Sequence, residues 1–186
     1  MTLADFESLY RRDEDPWGYR TRAYEREKYT ATLEACGPGP FQCALELGAS
    51  IGVFSAMLAP RCQRLTTVDG APTAVLAARR LLGARPGVRI LLGEIPEAIP
   101  AQASDLIVAS EILYYLDPGA LAATLARLSE VLCAEGRLVA VHWRPVGPDR
   151  PGSADSVHAA LRAQSWLTEI EDRSTPDYLL NVYERS

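Results

Sequence analysis

The run Glu46-Leu47-Gly48-Ala49-Ser50-Ile51-Gly52 ends a short apolar stretch with two glycines, and Asp69 ends the next such stretch. A glycine-bearing turn between a strand and a helix lets backbone come close to a ligand and aims helix N–H groups at it. An acid at the end of the following strand can accept from both hydroxyls of a ribose, or it can cap the helix that begins near Ala71. A dinucleotide fold requires G-x-G-x-x-G, and Gly48, Ser50 and Val53 occupy those positions, so two of the three glycines are missing. The chain's 2 histidines are the other conspicuous groups. His142 stands at the end of an apolar run and His158 in a helix-like segment; either can act as a base, bind an acceptor or hold a loop. Glu111, in Ser110-Glu111-Ile112-Leu113-Tyr114-Tyr115-Leu116, can bind a protonated amine or a hydroxyl, or can cap the turn after its strand. Tyr114, Tyr115 and Trp143 either wall a pocket or fill core beneath a loop.

These residues need a scaffold, and the apolar pattern supplies one. Phe41–Leu47, Arg64–Gly70, Val88–Gly93, Ser104–Ser110 and Gly136–Trp143 are short apolar runs that read as strands buried on both faces. Helical segments lie between them. Asp117-Pro118 is a cap with a first-turn proline, Leu121, Leu125, Leu128 and Leu132 follow at helical spacing, and Glu135-Gly136 closes that helix. Strands alternating with amphipathic helices imply a doubly wound, mostly parallel α/β sheet. Asp155–Ala163 reads as a further helix. Two strand-like runs joined by Ser174-Thr175-Pro176 then suit an antiparallel hairpin at the C-terminal end. Residues 1–186 form one domain on this reading, with a helical lid over 1–37, a ligand-binding core over 41–143, and a helix and hairpin over 144–186.

The N-terminal part holds two helices, Leu3–Arg11 and Arg22–Cys36, around a Pro16-Trp17-Gly18 turn. As a lid, this part is anchored by Trp17 and turns Arg20 and Tyr24 towards a ligand; otherwise it packs on the sheet edge with Trp17 simply buried. Composition narrows the function. With 19 basic against 24 acidic residues the net charge is −5, which argues against a nucleic-acid partner. No apolar run reaches the length of a membrane span, the first residues lack the pattern of a signal peptide, and the 4 cysteines form no C-x-x-C pair. A cytoplasmic protein without a structural metal is expected, as a monomer or homodimer.

Taken together the motifs carry a resemblance. Glu46-x-Gly48-x-x-x-Gly52, the acid at Asp69, Gly93-Glu94-Ile95-Pro96 and the Ser110–Leu116 segment stand in the order and spacing of class I S-adenosylmethionine-dependent methyltransferases. That resemblance covers roughly residues 41–143 and implies the class I methyltransferase fold, a Rossmann-like sheet. It implies S-adenosyl-L-methionine as cofactor, with S-adenosyl-L-homocysteine as product. Glu46, Gly48, Ala49, Ser50, Gly52, Asp69, Gly70, Glu94, Ile95 and Ser110 would hold it, with Trp17 and Arg20 from the lid.

Features outside that core resemble the nodulation-factor N-methyltransferase (NodS-like) family. They are Asp15-Pro16-Trp17, Tyr24-Glu25, Lys28-Tyr29, His142-Trp143-Arg144 and the later Val157-His158. Named members of that family methylate a free amine on a deacetylated glucosamine of a chitooligosaccharide. The resemblance therefore implies a small amine acceptor, such as an amino sugar, and in-line transfer. His142, His158 and Glu111 are its candidate catalytic groups; Tyr114, Tyr115, Trp143 and Tyr24 would line the acceptor site. Two departures stand out: Ala49 and Ser50 replace the glycine common in the middle of such loops, and the segment Arg144–His158 is short for an acceptor loop. O-methylation of a sugar hydroxyl or small carboxylate, and a cofactor-binding module without catalysis, are the competing readings.

Overall fold

The computed structural model describes residues 1–145 and 150–186. Seven strands form one sheet in the order β3-β2-β1-β4-β5-β7-β6. β1 (Ala44–Leu47), β2 (Leu65–Asp69), β3 (Val88–Leu92), β4 (Ser104–Ser110) and β5 (Leu132–Trp143) run parallel. β7 (Tyr178–Arg185) pairs antiparallel with β5 and with β6 (Leu167–Asp172). The C-terminal hairpin is thus present, with its second strand inside the sheet and its first at the edge.

The order reverses between β1 and β4, so the two chains leave their strand ends in opposite directions and open a crevice there. Alternation along the strands divides the core. Leu45 and Leu47 of β1 and Ile107 and Ala109 of β4 face Leu125 and Leu128 of α5 (Pro118–Val131) and Val157 and Leu161 of α6 (Ala154–Arg162). Ala44, Leu106, Val108 and Leu180 face the other layer, Tyr29 and Ala35 of α2 (Ala23–Cys36) and Phe54 and Leu58 of α3 (Val53–Leu58). β3 departs from the expectation of strands buried on both faces: as an edge strand it alternates between partly buried and exposed residues, and Leu92 is exposed.

α5 starts as expected, with Asp117 accepting from the Ala120 N–H at 2.8 Å and Pro118 in the first turn. Its end differs from the helical reading. The helix stops at Val131, and Leu132, at helical spacing from Leu128, already opens β5, where it pairs with Ser104. Glu135-Gly136 lies within that strand, with Glu135 at φ 60°, where the register to β4 shifts. Tertiary pairing outweighs the local leucine repeat there.

α1 (Leu3–Arg12) and α2 cover the strand ends. Thr2 and Asp5 form a reciprocal cap on α1. Glu7 accepts from the N–H (3.0 Å) and hydroxyl (2.7 Å) of Thr73, in the first turn of α4 (Pro72–Leu82), which docks α1 there. Phe6 and Trp17 pack with Tyr10, Ile51 and Ala74 into a small third cluster beneath the helix. Among the described residues no helix is long and apolar enough to cross a membrane, and no group of three metal-ligating side chains occurs.

Candidate active site

Strand ends and N-terminal helices enclose a cavity of about 820 Å³. One end is built on the glycine turn. Gly48 leaves β1 at φ 73°, and a Cβ there would lie 2.9 Å from Cβ of Ile112, so the backbone stays bare where the cavity meets it. Ser50, also left-handed at φ 51°, donates its N–H to Asp69 Oδ2 at 2.7 Å, and Ala71 donates to Oδ1 at 2.8 Å. Each Asp69 oxygen keeps lone-pair capacity beyond its single backbone donor. Burial raises the Asp69 pKa although both donors oppose the shift. Asp69 thus fixes the turn into α4 without capping that helix, whose N-cap Ala71 has no side-chain cap bond, and it lines the cavity.

Gly70, Gly93, Glu94 and Ile95 line the same end, and Glu46, Ala49 and Ser110 extend the wall along the strand tips. Glu46 is fully buried, accepts from the Ser55 hydroxyl at 2.5 Å, and is pushed by burial up to about 7. The Ser50 hydroxyl bonds Tyr10 Oη at 2.5 Å and ties α1 to the turn. Trp17 lines the cavity within an aromatic row that includes Phe6, Tyr10 and Tyr19.

Two expected cofactor contacts lie elsewhere. Gly52 is not among the residues lining the cavity; at φ 82° it caps the start of α3, and a Cβ there would come within 3.0 Å of Ala78 Cβ on α4. Arg20 points outward and donates to Glu14 at 2.7 Å, because Asp15 accepts from the Tyr19 and Arg20 N–H groups and turns the chain there. Arg22 lines the cavity instead.

The other end is built around a buried ammonium. Lys28, 3% exposed, donates to Glu111 Oε1 at 2.8 Å and stands 3.0 Å from Glu25 Oε2. Burial opposes its charge, but the two carboxylates outweigh that and raise its pKa. Glu111 Oε2 accepts from the Tyr114 hydroxyl and from the Trp143 N–H at 3.2 Å. Its backbone is left-handed, φ 57°, a conformation that costs a non-glycine residue about 1–3 kcal/mol and persists where neighbours over-determine it. Tyr24, Tyr114, Tyr115 and Trp143 line this end as expected, with Trp143 40% exposed at the rim. Arg150 lies 4.4 Å from the Tyr114 ring and 5.2 Å from Trp143. Of the short segment Arg144–His158, residues 146–149 lie outside the described residues.

Neither histidine reaches the cavity. Both are wholly buried behind its wall, between β5, β7 and α6. The Leu113 N–H donates to His142 Nε2 at 3.3 Å, so the His142 proton sits on Nδ1 and faces His158 Nε2 at 3.0 Å. His158 Nδ1 then donates to Asn181 Oδ1 at 2.5 Å. Every ring nitrogen is occupied, and burial depresses both pKa values, that of His158 to about 4. This arrangement holds the turn after β4 and does not fit a base that touches substrate.

Glu25, Lys28, Tyr10 and Arg22 carry no mark in the sequence that sets them apart as site residues. An acid and a base three apart on a helix ordinarily face solvent, and Glu25 and Lys28 stand out only through the Tyr24-Glu25 and Lys28-Tyr29 pairs.

Comparison with known proteins agrees with this architecture. The chain matches the family described as Nodulation protein S (NodS) over residues 2–177. It is 34% identical over 128 residues to Nodulation protein S of Sinorhizobium fredii, an alignment spanning 68% of this chain and 59% of that relative. It is 32% identical over 179 residues to Nodulation protein S of Bradyrhizobium diazoefficiens, spanning 93% of this chain and 86% of the relative. The crystal structure of N-methyltransferase NodS from Bradyrhizobium japonicum WM9 in complex with S-adenosyl-L-homocysteine superposes with a TM-score of 0.89. That match has 26% identity and covers 100% of this chain and 99% of the other. With a glycine turn after β1, an acid at the end of β2 and a class I methyltransferase sheet in one polypeptide, this chain belongs to the nodulation protein S family.

Proposed function

We propose that the protein is an S-adenosylmethionine-dependent N-methyltransferase acting in the cytoplasm on a small amine, most plainly an amino sugar. One observation carries the reading: a single cavity joins the Gly48–Asp69 cradle to a carboxylate pair, buried Glu25 and partly buried Glu111. The cofactor, when bound, supplies a methyl group already activated on a sulfonium. The protein's share is to bind, orient and exclude water.

Asp69 suits the ribose hydroxyls, Glu94 and Ile95 the adenine, and the bare backbone at Gly48 with Ala49 and Ser110 the amino-acid end. Trp17 and α1, latched through Tyr10 and Glu7, act as the lid over residues 1–37. At the far end, carboxylates suit a cationic acceptor, whereas a carboxylate substrate would meet like charge. Trp143 at the rim offers a flat apolar face to a sugar ring. Similarity to the N-methyltransferase NodS structure, whose ligand is S-adenosyl-L-homocysteine, supports both the cofactor and the reaction type.

Calorimetry with S-adenosylhomocysteine, followed by methyl transfer from labelled cofactor to glucosamine oligomers and their N-acetylated counterparts, tests this reading. Binding is expected, weakened at least tenfold in Asp69→Ala by loss of charge-assisted bonds to ribose. Transfer should occur to the free amines only. Absence of binding overturns the methyltransferase assignment, and transfer to hydroxyls of the acetylated oligomers replaces N- with O-methylation.

A further inference from the structure

Two oxygens of residues that line the cavity, Tyr24 Oη and Ser110 Oγ, are buried and make no hydrogen bond among the described residues, and beside them Glu25 Oε2 has only its ion pair with Lys28. Buried polar atoms are rarely left this way, so each calls for a cause. Glu25 is 7% exposed, and its Oε2 stands 3.0 Å from Lys28 Nζ in an ion pair. Glu111 contrasts with it. Its two oxygens already accept from Lys28, Tyr114 and Trp143. Lys28 therefore holds both acids in place, and of the two it is Glu25, met by Lys28 where Glu111 has three donors, that keeps more acceptor capacity.

The charge balance points the same way. Glu25, Lys28 and Glu111 together carry one net negative charge on the wall of a cavity that Arg22 and Arg150 also line. An ammonium has three donors and one positive charge, so it matches both the excess charge and the unpaired oxygens.

We propose that Glu25 is the residue that receives the acceptor's ammonium group and takes up its proton, with Tyr24 and Ser110 sharing its N–H bonds and Lys28 as the positioning residue. The inference rests on the N-methyltransferase reading above and adds the identity of the proton acceptor. An amine arrives as R–NH3+, and one N–H bond breaks as its proton moves to a Glu25 carboxylate oxygen. The freed nitrogen lone pair forms the new N–CH3 bond as the S–CH3 bond breaks, and that bonding pair stays on sulfur. The product leaves as R–NH2–CH3+, and the proton on Glu25 returns to solvent. The charged and titratable groups around Glu25 are Lys28, Tyr24 and Tyr29 on its own helix, Tyr19 before it and Glu111 from the turn after β4, with Arg22 and Arg150 on the same cavity wall. Asp177, before β7, also acts on Tyr24.

Glu25→Gln, which keeps the shape, is the test, with glucosamine dimer as the amine and S-adenosylhomocysteine as the cofactor probe. S-adenosylhomocysteine affinity should stay within about threefold of the parent, which also reports a folded site. Dimer binding to that complex, followed by calorimetry at pH 7, should fall at least tenfold. The kcat/KM at pH 7 should fall by about 10²-fold, the range of a lost general base. The deficit should shrink as pH rises, because solution then supplies the free amine. Glu25→Asp should recover part of the loss. A parent protein that binds S-adenosylhomocysteine but does not methylate amines overturns the N-methyltransferase reading itself. A parent that does, alongside a Glu25→Gln variant with unchanged dimer affinity or a deficit equal at every pH, overturns the role of Glu25.

Discussion

Two buried polar clusters flank the turn from Ser110 to Leu116, and they differ in what they leave unpaired. In the histidine cluster Leu113, His142, His158 and Asn181 pass hydrogen bonds along one line and each ring nitrogen has a partner, with only Asn181 Nδ2 left over. The acidic cluster is more open: Lys28 bridges two carboxylates, Glu25 has only that ion pair, and Tyr24 Oη and Ser110 Oγ, on neighbouring wall residues, have no hydrogen-bond partner among the described residues. Paired ring nitrogens hold one conformation, whereas buried polar atoms left unpaired beside a cavity call for an explanation. Residue type alone points to the wrong cluster, since histidine is the more familiar base.

The largest effect expected from this contrast is in Glu111→Gln. That variant discards the charge answered by Lys28 and weakens three hydrogen bonds at a left-handed residue. The kcat/KM for an amine acceptor should drop by about 10²-fold or more. Stability should fall by about 2 kcal/mol, within the range for hydrogen bonds to charged groups. Steady-state kinetics and urea unfolding check both. Retention of full activity would remove the acidic cluster from the reaction.

On the closed side, His158→Gln should cost about 2 kcal/mol in urea while turnover per folded molecule stays within about threefold. A folded variant without turnover would erase the distinction between the clusters. The pH dependence separates them further. His158 titrates near 6.5 when unfolded and near 4 when folded, so the unfolded chain binds the proton first. The histidine's contribution is fully present above about pH 6.5 and is lost as pH falls towards 4, about 3 kcal/mol in all. His142 is shifted in the same direction. Urea midpoints at pH 7 and 4.5 should diverge in the parent, and His158→Gln should narrow that gap.

The smallest effect should come from Arg20→Ala. Its exposed pair with Glu14 is worth little in water, and stability should change by no more than about 0.5 kcal/mol. S-adenosylhomocysteine affinity should stay within about twofold; a loss beyond tenfold would put Arg20 back at the cofactor.

Much of the cofactor half was legible because its chemistry is local. Gly48 must lie bare between a strand and a helix, Asp69 must end the next strand, and both demands leave their mark on short stretches of chain. The helix–strand boundary at Leu132 was less legible, since a leucine at helical spacing serves equally well as the first residue of a buried strand. Trp17 and Arg20 show how near the limit lies: both belong to one turn, yet Asp15 bends the backbone so that one lines the cavity and the other faces solvent.

The sequence by itself determined the alternation of strands and helices, the glycine turn with its acid and the aromatic content of the lid, because apolar period and backbone freedom are properties of neighbours along the chain. Only the tertiary structure decided which titratable groups meet. Lys28 and Glu111 lie far apart in sequence and 2.8 Å apart in space, and His142 and His158 find each other before either can find the cavity. Whether a buried polar atom is satisfied depends on partners delivered by other elements. That pairing exists only once the sheet has folded and α2 has closed over it.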